Sequence, residues 1–269
     1  MDKDNQRTLK VLAIGNSFSE DATYHLYDIA AACGAQDIKI GNLYIGGCSL
    51  ATHWENAKGN IPAYRYDKNT DGTWRYAEDR TLLEGLQDEA WDIITLQQVS
   101  HFSGLRATYT EDDVLTNLID YVNTHRANPD AQLAWHMTWA YQADSTHEFF
   151  HLYDHDQTKM YNEIVTTVKE EIRGNQAFAT IIPTGTAIQN VRTSPVGDTL
   201  TRDGFHLSWN LGRYIAALTY LVALTGWSID ELTYVPDDRE IPPEYLPIIK
   251  EAVAAAVENP FQVTQSSYR

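Results

Sequence analysis

Short apolar runs alternate with amphipathic stretches along most of the chain, and this alternation is the main structural signal it carries. Residues 8–14 hold a near-continuous apolar core through Leu9, Val11, Leu12, Ala13 and Ile14, the pattern of a parallel strand covered on both faces. Over 20–33, Leu26, Ile29, Ala30 and Cys33 share one helical face and Gly34 is placed as a C-cap. A second strand is predicted over 38–45, running into the turn Gly46-Gly47-Cys48-Ser49-Leu50. Residues 51–77 show little periodicity and read as a long loop with one short hairpin around Asp71-Gly72. Further along, helices are predicted over 78–89, 111–126, 159–173, 184–191, 209–224 and 243–257, and strands over 91–96, 132–138 and 178–182. Repeated strand–helix alternation predicts an α/β fold, a three-layer α/β/α sandwich with a central parallel sheet. No linker or internal repeat divides the 269 residues, so one domain is expected, with aromatic-rich insertions near 51–77 and 139–157.

Charge narrows the partners. With 37 acidic against 20 basic residues the formal net charge is −17, which repels nucleic acid and anionic membrane surfaces and favours a small or oligosaccharide substrate without negative charge. No apolar run approaches the ~20 residues of a membrane span. The polar start, Met1 to Arg7, has no apolar segment of the signal-peptide kind; the compartment stays open, as does the oligomeric state. Cys33 and Cys48 are too few for a disulfide framework, and the sequence leaves open whether they are bridged.

The candidate chemistry starts where the first strand ends. In Gly15-Asn16-Ser17-Phe18-Ser19 the serine stands at a strand-to-helix junction, where unpaired backbone N–H groups can stabilise an oxyanion. The plain alternative is a serine that only caps the helix. Asp203 and His206, three residues apart in a late loop, shift the reading: such a carboxylate can hold an imidazole in one tautomer while its other nitrogen faces a serine. A parallel sheet brings strand ends and their loops to one edge, which allows Ser17 to meet a pair almost 190 residues downstream.

These blocks, in this order, resemble the SGNH (GDSL-like) hydrolase superfamily, within it a divergent bacterial group, and the resemblance spans Gly15 to His206. It implies a flavodoxin-like α/β/α fold and a serine esterase without cofactor or metal. Ser17 would be the nucleophile, His206 the base and Asp203 its partner. Asn16 stands where the family usually has Asp. Gly46-Gly47-Cys48-Ser49 resembles the second block, whose glycine N–H lines the oxyanion hole, with Gly47 preferred over Gly46. Asp203-Gly204-Phe205-His206-Leu207-Ser208 resembles the last block and is the most specific match. The third block departs: Gln97-Gln98-Val99-Ser100 replaces Gly-x-Asn-Asp. A glutamine can donate the same N–H from a longer stem, so Gln97 or Gln98 is expected to complete the oxyanion hole beside the Ser17 N–H.

The expected substrates are short acyl esters, acetyl foremost, carried on carbohydrate, with Trp54, Trp74, Trp139 and Tyr141 as candidate sugar-stacking residues. The readings kept beside it are a carbohydrate-binding protein on an inactive scaffold and a long-chain lipase or thioesterase. His147-Glu148-Phe149-Phe150-His151 is a literal His-Glu-x-x-His, which on a helix would set two imidazoles on one face for zinc. It falls in an insertion without the glycine spacing of the larger zinc motif, so a substrate-lining or surface role is preferred.

Overall fold

The computed structural model describes residues 7–209, 211–236 and 241–269. In chain order the elements are β1 (Thr8–Gly15), α1 (Ser17–Thr23), α2 (Leu26–Ala32), β2 (Asp37–Tyr44), α3 (Leu50–Gly59), β3 (Tyr64–Asn69), β4 (Trp74–Arg80), α4 (Leu82–Asp88), β5 (Ile93–Leu96), α5 (Ala107–Thr110), α6 (Val114–His125), β6 (Gln132–His136), α7 (Gln157–Glu171), β7 (Phe178–Ile182), α8 (Thr184–Arg192), α9 (Leu211–Thr225) and α10 (Tyr245–Glu258). The strands form one seven-stranded sheet in the order β4-β3-β2-β1-β5-β6-β7. Strands β2, β1, β5, β6 and β7 run parallel, and the hairpin β3–β4 adds two antiparallel strands at one edge.

Helices α3, α4, α5 and α6 pack together on one face of the sheet, and α1, α2, α8, α9 and α10 on the other. α7 joins the first layer, where Thr167 Oγ1 donates to the Gly104 carbonyl at 3.0 Å. The central strands are buried from both sides: Val11, Leu12, Ile94, Ala134 and Trp135 are almost completely covered, which is why β1, β5 and β6 read as apolar runs rather than alternating patterns. From β1 the chain crosses to β2 by way of α1 and α2, and later returns to the opposite side of β1 with β5. The carboxyl end of β1 is therefore the topological switch point, the crevice where open α/β sheets bind ligands. Ser17 stands there.

Three local departures from the sequence reading have physical causes. The helix expected over 20–33 is two helices, broken at Tyr24-His25. The Tyr24 carbonyl at the break accepts the Trp74 indole N–H at 3.0 Å, so it needs no partner within the helix. The segment 51–77 is not a loop but α3 followed by most of the hairpin. α3 starts because Ser49 Oγ caps the Thr52 N–H at 3.2 Å, and the hairpin turn does contain Asp71 and Gly72, the glycine at φ +87°. Residues 78–80 continue β4, and α4 begins only after Thr81, whose capping box with Glu84 marks the boundary. Cys33 and Cys48 are free thiols. Among the described residues no helix is long and apolar enough to cross a membrane.

Candidate active site

Asn16 organises the centre of the site. It adopts an extended conformation and caps α1, with its Oδ1 accepting the Phe18 N–H at 3.0 Å. This makes Ser17 the first residue of the helix. The same Oδ1 accepts from Gln97 Nε2 at 2.9 Å, and Asn16 Nδ2 donates to the Cys48 carbonyl at 3.1 Å. One buried amide thus ties the start of α1 to the turn after β2 and to the end of β5. An aspartate here would lack the N–H that holds Cys48. Gly15 is required by close approach, since a Cβ would lie 2.6 Å from Ser19 Oγ and 3.0 Å from the Gln97 side chain.

Ser17 Oγ–H donates to His206 Nε2 at 2.8 Å, and His206 Nδ1–H donates to Asp203 Oδ2 at 2.6 Å. The late loop is shaped to allow this. Asp203 Oδ1 accepts the N–H of His206 at 2.8 Å and of Phe205 at 3.2 Å, Thr201 and Leu207 pair as an antiparallel bridge, and Gly204 sits at φ +91° where a side chain would be strained. Burial alone would raise the Asp203 carboxyl; hydrogen bonds from the His206 ring and from the His206 and Phe205 amides outweigh it and hold the group below the ordinary carboxylate value. Asp203 is therefore ionised at neutral pH and fixes the proton of His206 on Nδ1.

Two further ties, neither expected from the sequence, lock the helix carrying Ser17 to the loop carrying His206. Asp21, fully buried one turn along α1, accepts the Leu207 N–H at 2.8 Å, the residue directly after His206. It also accepts from Arg213 Nε at 2.7 Å and from Arg202 Nη1 at 3.0 Å, so a buried carboxylate is paired with two guanidiniums, which stack on Trp209 at 4.0 and 4.1 Å. Burial pushes the Asp21 carboxyl up, and the pull of Arg213 and Arg202 opposes it. The second tie is Trp139. Its ring stacks on Phe18 with centroids 4.1 Å apart, and its indole N–H donates to the Phe205 carbonyl at 2.7 Å. The only trace of Asp21 in the sequence is its i+4 spacing from Ser17.

The glutamines sit differently from the expectation. Gln97 and Gln98 are both buried. Gln97 gives its N–H to Asn16 and accepts from His136 Nδ1 at 2.8 Å. Gln98 Nε2 donates to the carbonyl and hydroxyl of Thr108, each at 3.1 Å, while its Oε1 accepts the N–H of Leu50 at 3.0 Å and of Val99 at 2.9 Å. Gln98 thus gives both N–H groups to Thr108 and Gln97 gives one of its two to Asn16, and these bonds hold the ends of β1, β2 and β5 in place. The turn after β2 is anchored by Ile45 N–H to the Gly15 carbonyl at 3.3 Å and by Asn16 to Cys48. It carries Gly46 and Gly47, both exposed, with Gly47 at φ +64°.

Of the four aromatic residues assigned to sugar stacking, Trp139 and Tyr141 are 0% exposed. They are packing residues; Tyr141 Oη instead meets Ser100 Oγ at 2.8 Å. Trp74 is half-buried against Tyr24 and bonded to it. Trp54 alone of the four lines a cavity described below. The His-Glu-x-x-His segment forms a 3-10 helix, Glu148–Tyr153, with His147 as its N-cap. With three residues per turn, positions four apart lie about a third of a turn off one face. His147 Nδ1 accepts the Phe149 N–H at 3.2 Å and His151 Nδ1 meets the Glu148 carbonyl at 2.6 Å. Among the described residues no group of three or more His, Cys, Asp or Glu is arranged to hold a metal. His147 instead packs edge-on to Phe205, with ring centroids 4.5 Å apart, which puts it at the rim of the site.

The family model for the domain of unknown function DUF4886 matches residues 10–244. The chain belongs to the DUF4886 family. It is 41% identical to a DUF4886 family protein from Bacteroides uniformis ATCC 8492, whose crystal structure it matches at a TM-score of 0.90 over 96% of this chain and 98% of that one. A proposed SGNH hydrolase from Slackia heliotrinireducens is 20% identical, with a TM-score of 0.52 over 81% of this chain and all of that one. That likeness is one of fold, and this DUF4886 chain has the α/β/α scaffold of the SGNH hydrolases. Among curated proteins none matches it.

Proposed function

We propose that the protein is a serine esterase that hydrolyses short acyl esters, acetyl foremost, carried on carbohydrate. The observation that carries this reading is the unbroken hydrogen-bond chain from Ser17 Oγ through His206 to Asp203 Oδ2, with links of 2.8 and 2.6 Å. In this reading Ser17 Oγ attacks the ester carbonyl as its proton passes to His206 Nε2. Asp203 steadies the imidazolium, which then protonates the leaving alcohol. His206 next takes a proton from water as it attacks the acyl-serine; the bond from Ser17 Oγ to the acyl carbon then breaks, His206 returns the proton to Ser17 Oγ, and the acid leaves. The oxyanion is met by the Ser17 and Gly47 N–H groups, with Gly46 as the neighbouring donor. No cofactor enters these steps.

The acyl preference is supported by the composition of 51–77 and 139–157, which are rich in aromatic and polar residues and poor in the long aliphatic ones that would line an acyl tunnel. One observation favours the second reading, a carbohydrate-binding protein without turnover: Gln98 gives both N–H groups to Thr108 and Gln97 one of its two to Asn16, so of the four glutamine N–H donors at most one is left for an oxyanion. Hydrolysis of p-nitrophenyl acetate separates the two. Turnover that disappears in Ser17→Ala supports the esterase; turnover unchanged in that variant removes Ser17 from the mechanism.

A further inference from the structure

Beyond the turn that follows β2 lies a cavity of about 250 Å³ between α3 and the segment leading into α6. Its walls include Ser49 and Gln98, which continue from Gly47 and from the end of β5, and Trp54, Phe102, Glu111 and Asp112. On one side Ser49 places it two residues past Gly47, at the end of the turn that follows β2. On the other, ring contacts run from it back to the histidine of that site: Phe102 to His101 at 4.3 Å, His101 to His147 at 6.1 Å, His147 to Phe205 at 4.5 Å and Phe205 to His206 at 4.2 Å. Phe102, His101, His147 and Phe205 are all half-buried, so this strip keeps an open face. This strip of rings links the cavity to the histidine that meets Ser17.

We infer that this cavity is a glycosyl subsite, which seats one uncharged sugar ring of an acylated saccharide whose ester lies at Ser17. The inference rests on the esterase reading for the position of the ester, and on the cavity alone for the sugar. Its size is below the roughly 300–1,000 Å³ of sites for drug-sized ligands, which suits a single ring. Trp54 and Phe102 offer apolar faces for the C–H side of a pyranose, and Trp54 is held in place by Tyr121, edge-on at 6.5 Å, and by Lys58 Nζ at 5.5 Å from its ring. Glu111 and Asp112 are exposed at the mouth and form no salt bridge among the described residues. Carboxylates so placed accept hydrogen bonds from sugar hydroxyls and repel acidic sugars. Lys58, the nearest basic group at Trp54, is itself paired with Glu55 at 2.6 Å.

The test compares mono-O-acetylated xylobiose and cellobiose with p-nitrophenyl acetate, which has no sugar to seat. Trp54→Ala should lower the ratio of kcat/KM for the acetylated disaccharide over that for p-nitrophenyl acetate by about tenfold, the loss of one stacked aromatic face. The rim variant Glu111→Lys, at an exposed position, guards against a folding failure at Trp54 and should lower the same ratio. Saturation-transfer NMR on Ser17→Ala with unacylated xylobiose and cellobiose reads the subsite without catalysis: transfer to ring protons is expected, and its loss in Ser17→Ala/Trp54→Ala. An unchanged ratio in both folded variants, or no transfer for either sugar, overturns the subsite. Saturation transfer to tetramethylammonium, with none to either sugar, would mark the cavity as a cation site and overturn it too. Sugar binding lost with Trp54, in a protein that never hydrolyses p-nitrophenyl acetate, would uphold the subsite and sink the esterase.

Discussion

Asp21 accepts the backbone N–H of Leu207 at 2.8 Å, across 186 residues of sequence. Ser17 is one helical turn before Asp21 and His206 is one residue before Leu207, so a single buried carboxylate sets the register between nucleophile and base. The two arginines on Asp21 make this junction rigid but costly to disturb, because a buried charge network that loses one member leaves the others uncompensated.

Asp21→Asn keeps the shape of the side chain and removes its charge, leaving Arg213 nearly buried without its counter-ion. The variant should lose about 3–5 kcal/mol of stability. Ester turnover should fall as well, chiefly in kcat, because the Ser17–His206 distance is no longer held. Chemical denaturation together with steady-state kinetics at a temperature where the variant is folded checks both. A folded variant with wild-type kcat would show that Leu207 holds its place without Asp21.

Gln97→Leu distinguishes a strut from an oxyanion donor. In the observed arrangement the substitution strips Asn16 Oδ1 of one donor and leaves His136, whose Nε2 already has no partner among the described residues, without any. A cost of about 1–3 kcal/mol is expected for such a buried group, read as a lowered thermal midpoint. An oxyanion donor would behave otherwise: its removal lowers kcat by about 10²–10³ with stability intact. The measurement is a thermal melt beside kcat for the same preparation.

Burial holds His53 and His136 down to about 3 and His101 to about 4. In the unfolded chain these imidazoles titrate near 6.5. Between those values the unfolded state binds more protons than the folded one, so stability rises with pH, by up to about 1.4 kcal/mol per pH unit for each such histidine. Stability should therefore fall as pH drops from 7.5 to 5.5. Asp203, held low, adds its own loss only further down, as pH falls through the carboxylate range. Denaturant midpoints at the two pH values check the slope, and His53→Gln should flatten it; a flat or reversed slope in the wild type would contradict it.

Particular elements show what the sequence could disclose. Strand β7 was expected at 178–182 and occupies Phe178–Ile182, because a short apolar run between two helices has few alternatives in an α/β chain. The meeting of Ser17, Asp203 and His206 was legible because residue type and the logic of a parallel sheet agree. The burial of Trp139 was not legible, since aromatic residues in an aperiodic segment look the same whether they line a surface or cross beneath it. The glutamine contacts were hidden for a related reason: an amide at the end of a strand suits an oxyanion and suits a neighbouring strand end equally well, and the ties to Asn16, His136 and Thr108 emerge only from the distances. α3 was hidden by its weak amphipathicity, with only Leu50, His53 and Ala57 buried.

The central claim is that Ser17 is an activated nucleophile. A fluorophosphonate probe followed by peptide mass spectrometry tests it most directly, because covalent capture needs the Ser17–His206 contact and no knowledge of the substrate. The expected result is one adduct, on Ser17, absent from Ser17→Ala and much slower to form in His206→Ala. A folded wild-type protein that stays unlabelled at Ser17, or is labelled elsewhere instead, would contradict the account.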